Sequence, residues 1–192
     1  TLAMMEIVYG IGLIVTNATP LGGYVEQYTN VSNGKFLGIN YLIWIAIIVA
    51  AITWFIFNMT RHGKYMYAIG GNPQAAEVAG VPVKATLILI YMKAAAMYGL
   101  AGFMLGAKAG GASVQTGYGY EMEAIAACTI GGVSVTGGRG KVSSAIIGVA
   151  VFELLKVALQ YLGMNANAQY IAIGVVIFIA ISLDIRKYIA RK

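Results

Sequence analysis

The run Ile39–Met59, INYLIWIAIIVAAITWFIFNM, contains no charged residue and decides the fold. At 1.5 Å per residue a helix of this length reaches about 30 Å, the thickness of a bilayer's hydrocarbon core. Arg61-His62-Gly63-Lys64 closes the run with the basic residues expected at a membrane surface. The other segments follow the same pattern. Of 192 residues 59% are hydrophobic and only 10% charged, and the mean hydropathy is +0.77. A soluble domain carries about 25% charged residues, so this chain has too few to coat a water-facing surface. Disorder is excluded as well, since its signature is low hydrophobicity with high net charge. The apolar runs are continuous, without the alternation of a barrel strand. The fold class that follows is an all-α integral membrane protein.

Working outward, Thr1 to about Val15 forms a first apolar stretch, which carries Glu6 and ends at Asn17-Ala18-Thr19-Pro20. A polar segment, Leu21 to Gly38, leads into the Ile39 span. Beyond Lys64 a loop runs to about Val83, followed by an apolar stretch from Ala85 to Ala107 with Lys93 inside it. Ile125 to Val135 is apolar but too short to cross, and Ser143–Leu162 and Tyr170–Leu183 are the last two apolar stretches. The total is about five to six transmembrane helices. The chain opens Thr1-Leu2-Ala3-Met4-Met5, already apolar and without an initiator methionine, and reads as a single domain over 1–192 from which N-terminal helices are missing.

Basic residues sort by side. Arg61, Lys64, Lys84, Arg139, Lys141, Arg186, Lys187, Arg191 and Lys192 fall in one set of segments, against Lys35 and Lys108 in the other. By the positive-inside rule, the loop from Arg61 to Lys84 and the C-terminus lie in the cytoplasm. The net charge of +6 therefore reports topology and not nucleic-acid binding. This assignment requires Lys108–Arg139 to traverse the membrane once with only half the needed apolar length. Two arrangements remain open: a broken or re-entrant segment unwound at its many glycines, or an extracellular loop followed by a short core helix.

Within the cytoplasmic loop, Asn72 is a good N-cap, Pro73 suits the first helical position, Gly80 suits the residue after the C-cap, and Pro82 forbids continuation. They bracket a helix of about two turns, too short to be stable alone. It either docks into a partner or lies on the membrane surface as a capped connector.

Gly70-Gly71-Asn72-Pro73, Ala75-Ala76 and Gly80 resemble the coupling-loop signature of ABC importer permeases of the monosaccharide group. A second match follows in order. It comprises Gly119-Tyr120-Glu121-Met122-Glu123-Ala124-Ile125-Ala126-Ala127, Gly131-Gly132-Val133-Ser134 and Gly137-Gly138-Arg139-Gly140. The resemblance covers essentially the whole chain and corresponds to the C-terminal part of a longer permease. Asn72 to Val81 is most similar to the galactose/methyl-galactoside branch. Met122-Glu123 is a conservative departure from that group's usual Leu-Asp.

The resemblance implies a translocation subunit in the bacterial inner membrane. Asn72, Pro73, Ala76, Glu77 and Gly80 would couple it to a cytoplasmic ATPase subunit, and its other partners would be a second permease copy and an extracytoplasmic sugar-binding protein. ATP would be bound by the partner and no cofactor by this chain. Gly137-Gly138-Arg139-Gly140-Lys141-Val142 lacks the spacing and the Ser/Thr of a phosphate-binding loop, so the subunit is expected not to be an enzyme.

Ionisable residues inside spans are costly and mark function by default. Lys93, Glu121, Glu123 and Glu153 are the candidates for the pathway, although Glu153 and Lys156, three apart, also suit internal neutralisation. Glu6 and Lys93 either pair, snorkel or line a cavity. Gly99, Gly102 and Gly106 share a helix face with Ala95 and mark close helix packing, within the subunit or between two copies. Tyr118 or Tyr120 would suit sugar stacking. Two alternatives compete: within the same class, a branched-chain amino acid permease of similar architecture, and from another class, a secondary transporter driven by an ion gradient.

Overall fold

The computed structural model describes residues 2–189. Thr1, Arg191 and Lys192, and the side chains of Lys187 and Tyr188, lie outside the described residues. Contacts divide the chain into two compact units, residues 1–49 with 91–119 and residues 50–90 with 120–192. The long helices α3 (Tyr41–Met59) and α6 (Val83–Ala109) contribute to both.

The first unit begins with α1 (Leu2–Thr16). The polar segment after it contains two structures that its composition did not announce. One is α2 (Glu26–Asn33), and the other is a minimal hairpin of β2 (Lys35–Phe36) with β3 (Ile39–Asn40). Its turn holds Leu37 and Gly38 both at positive φ, the geometry that two-residue hairpin loops require. Trp44 Nε1 donates to the Phe36 carbonyl at 3.2 Å and fixes the hairpin to the start of α3. The strand β1 (Leu21–Gly22) pairs antiparallel with β4 (Gly111–Ala112). These two ladders are the only strands among the described residues, so the helical fold class needs that small amendment.

In the second unit α3 ends at Thr60, whose hydroxyl accepts from Gly63 N at 3.1 Å and starts α4 (Arg61–Gly71). Gly63 is required at this bend, because a Cβ there would strike the Ile56 and Phe57 carbonyls. The stretch read as loop after Lys64 is therefore helical up to Gly71. Two adjacent glycines lowered its apparent propensity, while packing on the end of α3 supports it. Then come α5 (Pro73–Val78), α7 (Tyr120–Ile130), α8 (Val142–Tyr161) and α9 (Ala166–Ile189). The buried core of this unit is Ala126, Ala127, Phe152 and Ile173, with Ile130 and Ile177 against it, and joins α7, α8 and α9. Helices α7 and α8 approach backbone to backbone. A Cβ on Gly148 would meet the Ala127 carbonyl oxygen, and one on Gly131 would meet that of Ser144.

Among the described residues, three helices are long and apolar enough to cross a membrane: α3, α6 and α8. The apolar parts of α1 and α9 are shorter, Ala3–Thr16 and Ala168–Ser182. Along α3 no residue is buried, and Ile43, Ile47, Ile52 and Phe55 stand about half exposed. An apolar surface of that extent is not left to water in a stable protein, so a bilayer or further protein covers it.

Candidate functional site

Helix α5 is one and a half turns long and capped at both ends. Asn72 Oδ1 accepts from the amides of Gln74 at 3.0 Å and Ala75 at 3.1 Å, and Pro73 occupies the first turn, where its missing N–H costs nothing. At the other end Gly80 N donates to the Glu77 carbonyl and Val81 N to that of Ala76, each at 3.0 Å, with Gly80 at φ +82°. This is the paired closure that makes glycine the residue of choice after a helix. Of the expected coupling residues, Asn72, Pro73, Glu77 and Gly80 are exposed, whereas Ala76 is 4% exposed and faces inward. Val78, absent from the expected set, is 91% exposed. The helix thus ends on an apolar side chain standing in the open. Periodicity cannot find it, because six residues are too few to define a face.

Behind α5, the end of α4 meets the glycine-rich turn between α7 and α8. A Cβ on Gly70 would lie 2.5 Å from Gly138 N, and one on Gly138 would lie 2.7 Å from Gly71 N. The Tyr67 hydroxyl donates to the Gly140 carbonyl at 2.8 Å, and its ring packs edge-on against Phe57 at 5.8 Å. A cavity of about 330 Å³ opens beside this contact, lined by Phe57, Tyr67, Cys128, Val133, Gly138 and Arg139 among others. Both glycine pairs stood out in the sequence, but nothing there joined them.

The expected pathway residues do not form one cluster. Lys156 Nζ bonds Glu123 Oε2 at 2.8 Å, from α8 to α7, and lies 3.8 Å from Glu153 Oε1. It also sits 6.0 Å from the centre of the Tyr120 ring, within reach of a cation–π attraction. Glu123 and Glu153 thus share one ammonium, with Glu123 much the closer partner, and internal pairing of Glu153 with Lys156 is the lesser contact. Glu121 is exposed and outside this group. Lys93 belongs to the other unit and forms no ion pair with Glu6 among the described residues.

The small-residue face of α6 also divides. Gly106 is buried under the Tyr28 hydroxyl, which donates to the Phe103 carbonyl at 2.7 Å. A Cβ added at Gly99 or Gly102 would meet nothing within 4 Å. Those two positions pack on nothing within the described residues.

Helix α7 has 11 residues and is about 16 Å long, half of a hydrocarbon core. It begins five residues before the apolar stretch that announced it and stops at Gly131. There Gly132, at φ +83°, closes it through Gly132 N to Thr129 O and Val133 N to Cys128 O.

A family described as "Branched-chain amino acid transport system / permease component" matches residues 1–181. The chain belongs to this permease family. Across its whole length it is 39% identical to the galactose/methyl galactoside import permease protein of Escherichia coli (strain K12) and 38% identical to the protein of the same name from Haemophilus influenzae, covering 59% of each. The ribose import permease protein of Escherichia coli (strain K12) is 34% identical over 97% of this chain and 60% of its own length. The chain spans about three-fifths of the length of these curated relatives. No solved structure matches it.

Proposed function

We propose that this chain is the membrane-spanning permease part of an ATP-driven monosaccharide importer, with galactose or methyl galactoside as the sugar. Residues 1–192 form one permease domain of the bacterial inner membrane, paired with a second copy and supplied by an extracytoplasmic sugar-binding protein. The relatives named for these sugars support the substrate class. Helix α5 carries the mechanism: it is capped at both ends, lies between α4 and the long apolar α6, and presents Val78 at 91% exposure. It docks on a cytoplasmic ATPase subunit through Pro73, Glu77, Val78 and Gly80, with Asn72 and Ala76 holding it in place. ATP is bound and hydrolysed by that partner, and its motion drives the change of access.

The contact of Tyr67 with Gly140 supports the orientation. It places the basic segment around Arg61 and Lys64 beside the one holding Arg139 and Lys141, two segments that the charge count had put on the same, inner side. On this reading the C-terminus is cytoplasmic and α7 enters the bilayer from outside as a half-length segment, completed by the glycine-rich turn. The Glu123–Lys156 pair neutralises two charges next to the pathway, with Glu121 and Glu153 on the same two helices; Lys93, in the other unit, is a separate candidate.

The test is reconstitution of the full-length permease with its ATPase and sugar-binding protein in vesicles. ATP-dependent galactose accumulation that is indifferent to ion gradients is expected. Accumulation driven by an ion gradient without ATP would replace this reading with a secondary transporter.

A further inference from the structure

Where Gly70 meets Gly137 and Gly138, the end of α4 touches the turn before α8 backbone to backbone. Gly137 and Gly138 both lie at positive φ, and a Cβ on Gly137 would come within 2.9 Å of the Gly70 carbonyl oxygen. With the Gly70 and Gly138 approaches already described, three glycines, separated in sequence by α5, α6 and α7, leave no side chain between two main chains. Side chains can change rotamer and absorb a displacement, whereas main chains in direct contact cannot.

Both flanks of this contact are stiff. On one side no free linker separates it from α5, because the Asn72 amide bonds the Ala68 carbonyl of α4 while the Asn72 side chain caps α5. On the other side the turn is closed by Ser134 N to the Arg139 carbonyl at 3.1 Å, and Tyr67 holds Gly140. Lys141 then enters α8, where Ser144 bonds both its amide and its carbonyl, and α8 meets α7 at Gly148 and Gly131.

We propose that Gly70, Gly137 and Gly138, braced by Tyr67, form an interlock that carries displacement of α5 into α7 and α8, and so towards the Glu123–Lys156 pair. This deepens the reading of α5 as the coupling helix and rests on it. The three glycines are positioning residues. They touch neither the ATPase nor the sugar, and act by letting two segments move as one body.

The test uses the full-length permease assembled with its ATPase and sugar-binding protein. Gly70→Ala and Gly138→Ala are expected to retain the ATPase while the ATP consumed per sugar imported rises about tenfold. Gly71→Ala is the matched substitution: its Cβ meets open space, and its ratio stays within about twofold of wild type. An unchanged ratio in Gly70→Ala and Gly138→Ala, or parallel loss of hydrolysis and import, would overturn the proposal. Spin labels at Gln74 and Thr136 read the interlock without reference to coupling. One distance common to nucleotide-free and ATP-trapped states supports it, and a change above about 5 Å, the size of a one-turn slip, overturns it. If wild-type permease retains no ATPase, the coupling reading fails, and the label distance in the permease alone still decides whether the two segments are locked.

Discussion

Replacing Lys156 by methionine removes the cation held between Glu123 and Glu153 while keeping a side chain of similar length. Distance alone, 2.8 Å against 3.8 Å, separates the two attractions by only roughly a third. Exposure separates them further. The Glu153 side chain is 59% exposed and falls in the surface class, where pairs are worth about 0–1 kcal/mol. Lys156 and Glu123 are 22% and 21% exposed, between that class and the buried one, where removing one partner costs about 3–5 kcal/mol. The coupling expected for Glu123 with Lys156 is therefore about 1–3 kcal/mol, and that for Glu153 is below about 0.5 kcal/mol. The assay is equilibrium unfolding of the bicelle-reconstituted chain in SDS, with double-mutant cycles of Lys156→Met against Glu123→Gln and against Glu153→Gln. The Lys156→Met/Glu123→Gln pair should be more stable than Lys156→Met alone, because it no longer leaves an unpaired carboxylate. A Glu123 coupling below about 0.5 kcal/mol, or a larger one for Glu153, would refute the reasoning.

In the same unfolding assay Gly148→Val should cost about 2 kcal/mol, because its Cβ lands on the Ala127 carbonyl and the Gly131 backbone. Gly174→Ala, opening onto free space, should be neutral or gain up to about 1 kcal/mol of helix propensity. Asn72→Ala removes two capping bonds from α5. It should cost about 1 kcal/mol locally, read as roughly fivefold faster hydrogen exchange at the Gln74 and Ala75 amides, with Asn72→Asp retaining protection. Gly99→Leu with Gly102→Leu should leave the unfolding of one copy within about 0.5 kcal/mol of wild type, yet reduce cross-linking between two copies if that face is shared.

The long elements were legible in the sequence because their signal is length and charge. The α3 run and the Ala85–Ala107 stretch state themselves, and the structure extends the latter only by its ends, to Val83–Ala109. The α5 caps were legible for a different reason: Asn72 and Gly80 satisfy backbone groups two or three residues away and Pro73 needs no partner in the first turn, so the chemistry is local. The α4 helix was hidden because Gly63, Gly70 and Gly71 depress local propensity, and its support comes from packing on the end of α3 and on the distant turn at Gly138 and Gly140. Lys156 found its nearer carboxylate 33 residues away on another helix, whereas the i, i+3 rule could only offer Glu153. Gly106 carried the right spacing for helix packing, and the structure adds its neighbour, the Tyr28 hydroxyl of α2, which spacing alone could not name.

The central claim is that α5 projects into the cytoplasm as the seat of a separate ATPase. Vectorial labelling tests it most directly. Cys128 is the only cysteine, so a Cys128→Ala background carrying Val78→Cys presents a single thiol at a position of the helix that is 91% exposed. A membrane-impermeant maleimide should label it in inverted membrane vesicles, with bound ATPase slowing the reaction, and should leave it untouched in intact spheroplasts. Rapid labelling in intact spheroplasts would place α5 outside and contradict the claim.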